Sequence, residues 1–205
     1  MKILLLRHGA TAGNELGRYI GRTDEPLSPR GIREVKAAGC DPALSIVYVT
    51  PLLRTRQTAE ILFPNAGQIV VDGLRETDFG HFEQRSAREM ENDPEYRSWV
   101  EGACLGACPG GESRDAFTKR VREAFTHTLL SHRALTGEKD GEPAVFVVHG
   151  GTIMAILEAF ARPAMSFYEG RVENGRGFLC RPDFSPGMGL PFLLTDVAKT
   201  DRVLV

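Results

Sequence analysis

No apolar run in this sequence approaches the ~20 residues that a membrane-spanning helix needs. The chain opens on a short strand-like run with no signal-peptide architecture. Both features point to a cytoplasmic protein without a membrane partner. An excess of one charge is missing as well. Lys and Arg number 25 against 27 Asp and Glu, a net charge of −2, which argues against a broad electrostatic grip on nucleic acid. Cysteine is sparse. Cys40, Cys104, Cys108 and Cys180 form no disulfide framework for a chain of 205 residues. Cys104 and Cys108 have no second Cys/His pair at zinc-binding spacing, so free, partly buried thiols are expected. A Gly-Lys-Ser/Thr phosphate loop is absent, and no carboxylate cluster for magnesium is apparent. No metal and no cofactor are therefore expected.

What is present is a strand-helix alternation. With 42% hydrophobic residues, the chain is long enough for one globular domain spanning 1–205. Ile3 to Leu6 is a short unbroken apolar run, the pattern of a strand buried on both faces. It stops on Arg7-His8-Gly9. Ala144 to Val148 repeats the design and stops on His149-Gly150-Gly151-Thr152. In an open α/β sheet, ligands sit beyond the carboxyl ends of the strands. Two core strands ending in His-Gly therefore place two imidazoles at one edge.

Between these runs the pattern is regular. Residues 9–28 are glycine-rich and read as a loop over the strand tip. Ser28-Pro29 starts a helix that Gly39 stops. Ile46–Val49 is a strand, followed at Pro51 by a helix with Leu52, Ala59 and Leu62 on its buried face. Arg54 and Arg56 fall in its first turns, where cations oppose the helix dipole unless an anion is present. Ile69–Val71 is a third strand leading to Glu76. Residues 84–103 read as charged and helical, with Trp99 as a packing anchor. Ser113 caps a helix carrying Phe117, Val121, Phe125 and Leu129. Residues 137–143 form a polar loop. Val172–Cys180 and Pro191–Leu194 are strands near the sheet edge. The alternation gives an α/β fold, three-layer αβα with a mostly parallel central sheet.

Arg7, His8, Arg54, Glu76 and His149 thus gather at one sheet edge. Two arginines, two histidines and the free amides at Gly150-Gly151-Thr152 suit a phosphate dianion. A neutral imidazole is a competent nucleophile toward phosphorus, and cations can meet the transition-state charge. Glu76 is then the proton donor to the leaving oxygen and afterwards the base for water. Arginines nearby lower a carboxyl pKa, whereas desolvation and a bound dianion raise it.

These residues, in this order, resemble the histidine phosphatase superfamily, with its phosphoglycerate-mutase-like fold. The motifs are Arg7-His8-Gly9 with Asn14, Pro51-Leu52-Leu53-Arg54 with Thr58-Ala59, Leu74-Arg75-Glu76 with Phe79-Gly80, Pro109-Gly110-Gly111-Glu112-Ser113, and His149-Gly150-Gly151. The resemblance covers residues 1 to about 160. It implies that His8 becomes phosphorylated, that Arg7, Arg54 and His149 hold the phosphoryl group, and that Glu76 is the acid/base. It makes Asn14 and the backbone at Gly150 and Thr152 secondary contacts. Arg56 matches no motif position.

The loop Tyr19 to Ser28 is similar to that of the α-ribazole phosphatases of cobalamin synthesis. It brings Tyr19, Gly21 and Thr23 forward as substrate-binding residues. The stretch 77–109 lacks the arginine- and proline-containing insert of the cofactor-dependent mutases. Two departures stand out: Phe82-Glu83-Gln84 where relatives often carry Trp-Glu-Gly, and Thr50 where Ser is usual. The resemblance implies a metal-independent phosphomonoesterase acting on a small phosphorylated metabolite, with α-ribazole 5′-phosphate one candidate. A cofactor-dependent phosphoglycerate mutase and a non-catalytic phosphate-binding module are the alternatives. The oligomeric state stays open, a homodimer included.

Overall fold

The apolar run at the start of the chain lies inside the sheet. In the computed structural model, which describes residues 1–137, 142–185 and 189–201, β1 is Ile3–Arg7 and β4 is Ala144–Val148. They pair in parallel, with Leu5 opposite Phe146 and Arg7 opposite Val148. β2 (Ile46–Val49) pairs with β4 on its other side, and β3 (Gly67–Val70) forms one edge. β5 (Gly177–Asp183) and β6 (Leu193–Thr200) add an antiparallel flank beside β1. The strand order is β3-β2-β4-β1-β5-β6.

Unbroken apolar strands need cover on both faces, and the helices supply it. Side-chain alternation sends Leu4, Leu6, Val145 and Val147 to one face. There they pack with Val35 of α2 (Pro29–Ala37) and with Ala59 and Leu62 of α3 (Leu53–Leu62). Ile3, Leu5, Phe146 and Val148 face the other way. They meet Phe117, Val121, Phe125 and Leu129 of α5 (Arg114–Thr136) and Ile153, Ile156 and Phe160 of α6 (Gly150–Phe160). Each such fully buried side chain contributes roughly 1.5–3 kcal/mol by leaving water. This is the expected three-layer αβα arrangement around a mostly parallel sheet.

Several boundaries differ from the sequence reading. The loop over the strand tip contains one helical turn, α1 (Ala12–Glu15), because Thr11 and Asn14 form a capping box that offsets the glycines. α3 starts two residues after Pro51, at Leu53. β3 begins at Gly67, which already pairs with Ser45, and ends at Val70 before the turn at Asp72-Gly73. In 84–103 only Pro94–Glu101 (α4) is α-helical. Gln84 has φ +61, outside helical geometry, and Asp93-Pro94 is a cap-plus-proline start that sets the boundary. Ser113 caps α5 as expected. The strand expected from Val172 begins only at Gly177, since Asn174-Gly175 makes a turn with Gly175 at φ +73. The last strand runs Leu193–Thr200 rather than 191–194. Residues 138–141 of the expected polar loop lie outside the described residues. Among the described residues, no helix is long and apolar enough to cross a membrane.

Candidate active site

The parallel register of β1 and β4 puts the two His-Gly ends at one level. The amide of His8 donates to the carbonyl of Val148 at 3.0 Å, and the two imidazoles meet edge to face, 5.2 Å between centroids. Both rings are buried, His8 at 3% and His149 at 0% exposure. Burial, with Arg54 as the next cause, holds both well below the ordinary value of 6.5, so both are neutral near pH 7.

The two rings are tied differently. His8 Nδ1 lies 2.7 Å from the carbonyl of Gly9. A carbonyl only accepts, so Nδ1 carries the proton and Nε2 the lone pair. His149 is held at the other nitrogen: its Nε2 is 3.0 Å from Thr50 Oγ1. Thr50 sits in a hydroxyl pair with Thr55 at 3.0 Å, and Thr55 gives its own proton to the carbonyls of Thr50 and Leu52. His149 Nδ1 is buried with no partner. Thr50 has one proton for two acceptors, Thr55 Oγ1 and His149 Nε2; when it goes to Nε2, the ring proton is on Nδ1.

The arginines close round these rings. Arg7 donates to the carbonyl of Val172 at 2.8 Å, and its Nε has no partner. Arg54 is fully buried. It donates to the carbonyls of Thr23 at 2.8 Å and Gly21 at 2.7 Å, with a weaker contact to Ile20 at 3.4 Å, and its Nε is unpaired. Burial lowers the pKa of both guanidinium groups, and Glu76 opposes that shift. Thr58 ties α3 to the end of β1: its hydroxyl accepts from the amide of Gly9 and donates to the carbonyl of Arg54. Among the described residues, four buried side-chain nitrogen or oxygen atoms lack a partner, and three of them are Arg7 Nε, Arg54 Nε and His149 Nδ1. An unpaired buried donor costs about 1–3 kcal/mol. An oxyanion satisfies both arginine nitrogens, and His149 Nδ1 as well in the tautomer that carries its proton there.

Glu76 follows a short 3₁₀ turn and reaches the start of α6. Its Oε1 accepts from the amide of Thr77 at 3.0 Å and its Oε2 from that of Gly151 at 2.9 Å. Any side chain at Gly151 would put a Cβ 2.3 Å from Oε1, so the carboxylate needs glycine there. One of the amides expected to be free for an anion is thus occupied by Glu76. Thr152 is also reassigned. It is fully buried, and its hydroxyl donates to the carbonyl of Leu74 at 3.1 Å, fastening the turn that precedes Glu76. Gly150 remains at the cavity wall, where a Cβ would stand 3.3 Å from Arg7 Nε.

The cavity over this edge has a volume of about 680 Å³. Arg7, Asn14, Tyr19, Glu76 and Gly150 line it, with Trp99 and Tyr168 farther along the wall. His8, Arg54 and His149 are buried behind that wall. Asn14 uses Oδ1 to accept from Thr11 N and from Asn174 Nδ2, which leaves Nδ2 to donate to a ligand. Tyr19 lines the cavity and pairs its hydroxyl with that of Tyr96 at 2.9 Å. Burial and that bond push it well above the usual tyrosine range, so it stays protonated. Gly21 and Thr23 do not line the cavity. Their carbonyls hold Arg54 instead. Arg56 is exposed on α3 and stands apart. Cys104 and Cys108 are free thiols on the cavity wall.

The sequence reading missed two elements of this site. Asn174 donates to the carbonyl of His8 and to Asn14, both at 3.1 Å. Its signal was the Asn-Gly turn, hidden inside a presumed strand. Arg120 donates to the carbonyls of Gly73 and Arg75 and pairs with Glu112 at 2.6 Å, bracing the Glu76 turn. No pattern in the sequence singles Arg120 out.

Buried cations, a neutral imidazole with a free lone pair, and a carboxylate at the rim have the chemistry to take a phosphoryl group. Residues 3–176 match the model of the Histidine phosphatase superfamily (branch 1), and the chain belongs to that superfamily and is a phosphatase. The chain is 30% identical over 183 residues to the adenosylcobalamin/alpha-ribazole phosphatase of Salmonella typhi, covering 85% of this chain and 87% of that one. The Salmonella typhimurium protein of the same name is 28% identical over the same coverage. Among solved structures, the phosphoglycerate mutase of Thermus thermophilus is 30% identical with a TM-score of 0.64, covering 94% of this chain and 96% of that one. The alpha-ribazole phosphatase of Shigella flexneri shares the fold at a TM-score of 0.80 and 23% identity, covering 100% and 99%.

Proposed function

We propose that this protein is a metal-independent phosphomonoesterase that works through a phosphohistidine on His8 Nε2. One observation carries the reading: a neutral His8, its Nδ1 proton committed to the Gly9 carbonyl, lies against His149 and within the charge of Arg54 and Arg7, and each of these three neighbours keeps an unpaired buried nitrogen. The lone pair of Nε2 forms a bond to phosphorus, and the ester oxygen–phosphorus bond breaks. Protonated Glu76 gives its proton to the departing oxygen, which leaves as an alcohol. The positive ring of phosphohistidine keeps its Nδ1 proton on the Gly9 carbonyl. Water then attacks phosphorus and gives a proton to the Glu76 carboxylate. The phosphorus–nitrogen bond breaks, phosphate leaves, and both residues return to their starting forms. Arg7, Arg54 and His149 meet the charge on the equatorial oxygens throughout, with Asn14 Nδ2 and the backbone at Gly150 as further contacts.

The substrate we favour is α-ribazole 5′-phosphate. The names of the two Salmonella relatives and the likeness of the Tyr19–Ser28 loop support it. So does the Trp99 and Tyr168 wall, which suits a flat, apolar alcohol portion. The test is phosphate release in EDTA from a panel of phosphorylated metabolites, α-ribazole 5′-phosphate included. Turnover undiminished by chelator with one substrate far above the rest is expected. Loss of turnover in EDTA overturns the metal-free mechanism, and a flat profile overturns the substrate.

A further inference from the structure

Beyond Tyr19, which lines the cavity, the loop expected to bind substrate is organised by one carboxylate. Glu83 follows the 3₁₀ turn Gly80–Phe82. Its two oxygens receive the amides of Gly21 (3.1 Å), Arg22 (2.9 Å) and Thr23 (3.4 Å), the hydroxyl of Thr23 (2.7 Å) and the amide of Phe79 (3.3 Å). Three successive amides converge on one anion, which fixes the peptide planes between them. The amides of Gly21 and Arg22 share their planes with the carbonyls of Ile20 and Gly21, so turning those N–H groups toward Glu83 presents these carbonyls to Arg54. The Thr23 carbonyl, which Arg54 also holds, is on the next plane of a residue that Glu83 anchors by both its amide and its hydroxyl. A Cβ at Gly21 would lie 2.5 Å from Glu83 Oε1 and 1.8 Å from the carbonyl oxygen of Thr77, so the packing admits only glycine.

Arg54 depends on this loop for its orientation. Among the described residues no carboxylate is paired with it, and every hydrogen bond of its guanidinium goes to a carbonyl of residues 20–23. Its remaining donors, Nε included, are left for a ligand. Glu83 also lies close enough to favour its charge, after Glu76 and Asp24.

We propose that Glu83 is a positioning residue for phosphoryl binding, acting through the 20–23 loop to aim Arg54. This rests on the reading of Arg54 as a phosphoryl-binding group. The experiment measures vanadate inhibition, kcat and KM for p-nitrophenyl phosphate and for an alkyl phosphate in wild type, Arg54→Ala, Glu83→Gln and the double variant. Glu83→Gln should weaken vanadate about tenfold or more. It should lower kcat/KM equally for good and poor leaving groups, since Arg54 faces the phosphoryl oxygens and not the leaving oxygen. The double variant should be no worse than Arg54→Ala, as expected when two residues act as a unit. Thr23→Val removes one donor to Glu83 and should show the same pattern in smaller measure. It carries the test if Glu83→Gln does not fold.

Additive losses in the double variant, or unchanged vanadate affinity in Glu83→Gln and Thr23→Val, overturn the proposal. If Arg54→Ala itself leaves vanadate affinity unchanged, the underlying reading of Arg54 fails first. The two failures are therefore distinguishable.

Discussion

The ends of β1 and β4 are nearly the same in sequence, each an apolar run closing on His-Gly, and they are wired in opposite senses. His8 gives its Nδ1 proton to its neighbour's carbonyl and keeps a basic Nε2. His149 has its Nε2 held by the Thr50 hydroxyl and its Nδ1 buried without a partner. Burial keeps both rings neutral. What separates them is therefore which nitrogen the backbone or hydroxyl has claimed. His8 keeps Nε2 free, and His149 keeps Nδ1 free; under the proposed mechanism the first attacks and the second, carrying its proton on Nδ1, donates. A shared motif fixes where an imidazole stands, and the second hydrogen bond fixes its chemistry.

The comparison can be broken or sharpened in four ways, from the largest expected effect to the smallest. His8→Ala removes the proposed nucleophile, and phosphate release should fall by about 10⁴-fold or more. His149→Ala removes only a stabilising donor, so kcat should fall about 10²–10³-fold while some turnover survives. Equal losses in these two variants would erase the distinction. Thr50→Val takes away the hydroxyl that holds His149 Nε2. About a tenfold loss in kcat is expected, with about 1–3 kcal/mol of stability lost from the unpaired Nε2. Thr50→Ser, which keeps the hydroxyl, should behave as wild type in both assays.

The fourth test is pH. The unfolded chain protonates its histidines near 6.5, whereas His8 and His149 in the folded protein lie well below that value. Between those values the unfolded state binds more protons, so stability rises with pH through this window and levels off above about 6.5. Chemical denaturation should therefore show stability falling as pH drops below 6.5. The fall should be shallower in His149→Ala, which has one buried ring fewer.

The parallel half of the molecule was legible because its strands must be apolar on both faces. Ile3–Leu6 and Ala144–Val148 announce themselves, and the residues at their tips follow from topology. Glu76, Arg7 and Arg54 were found the same way. The antiparallel flank was less legible. Asn174 and the carbonyl of Val172 come from a turn whose apolar flanks imitate a strand. The free amides expected at the α6 start could not be separated from Glu76's own claim on Gly151, because that contact joins residues 75 positions apart. Gly21 and Thr23 were singled out as functional, but their partner is Arg54. Gln84, which departs from the glycine of relatives, sits at φ +61, the left-handed conformation that glycine adopts without strain.

The central claim is that His8, and not His149, takes the phosphoryl group. The direct test is labelling with a radioactive phosphate ester, followed by an alkaline quench that preserves phosphohistidine and by mapping of the label. Label on His8 in wild type and in His149→Ala, with none in His8→Ala, is the predicted result. Label on His149, or full turnover in His8→Ala without any label, would contradict the account.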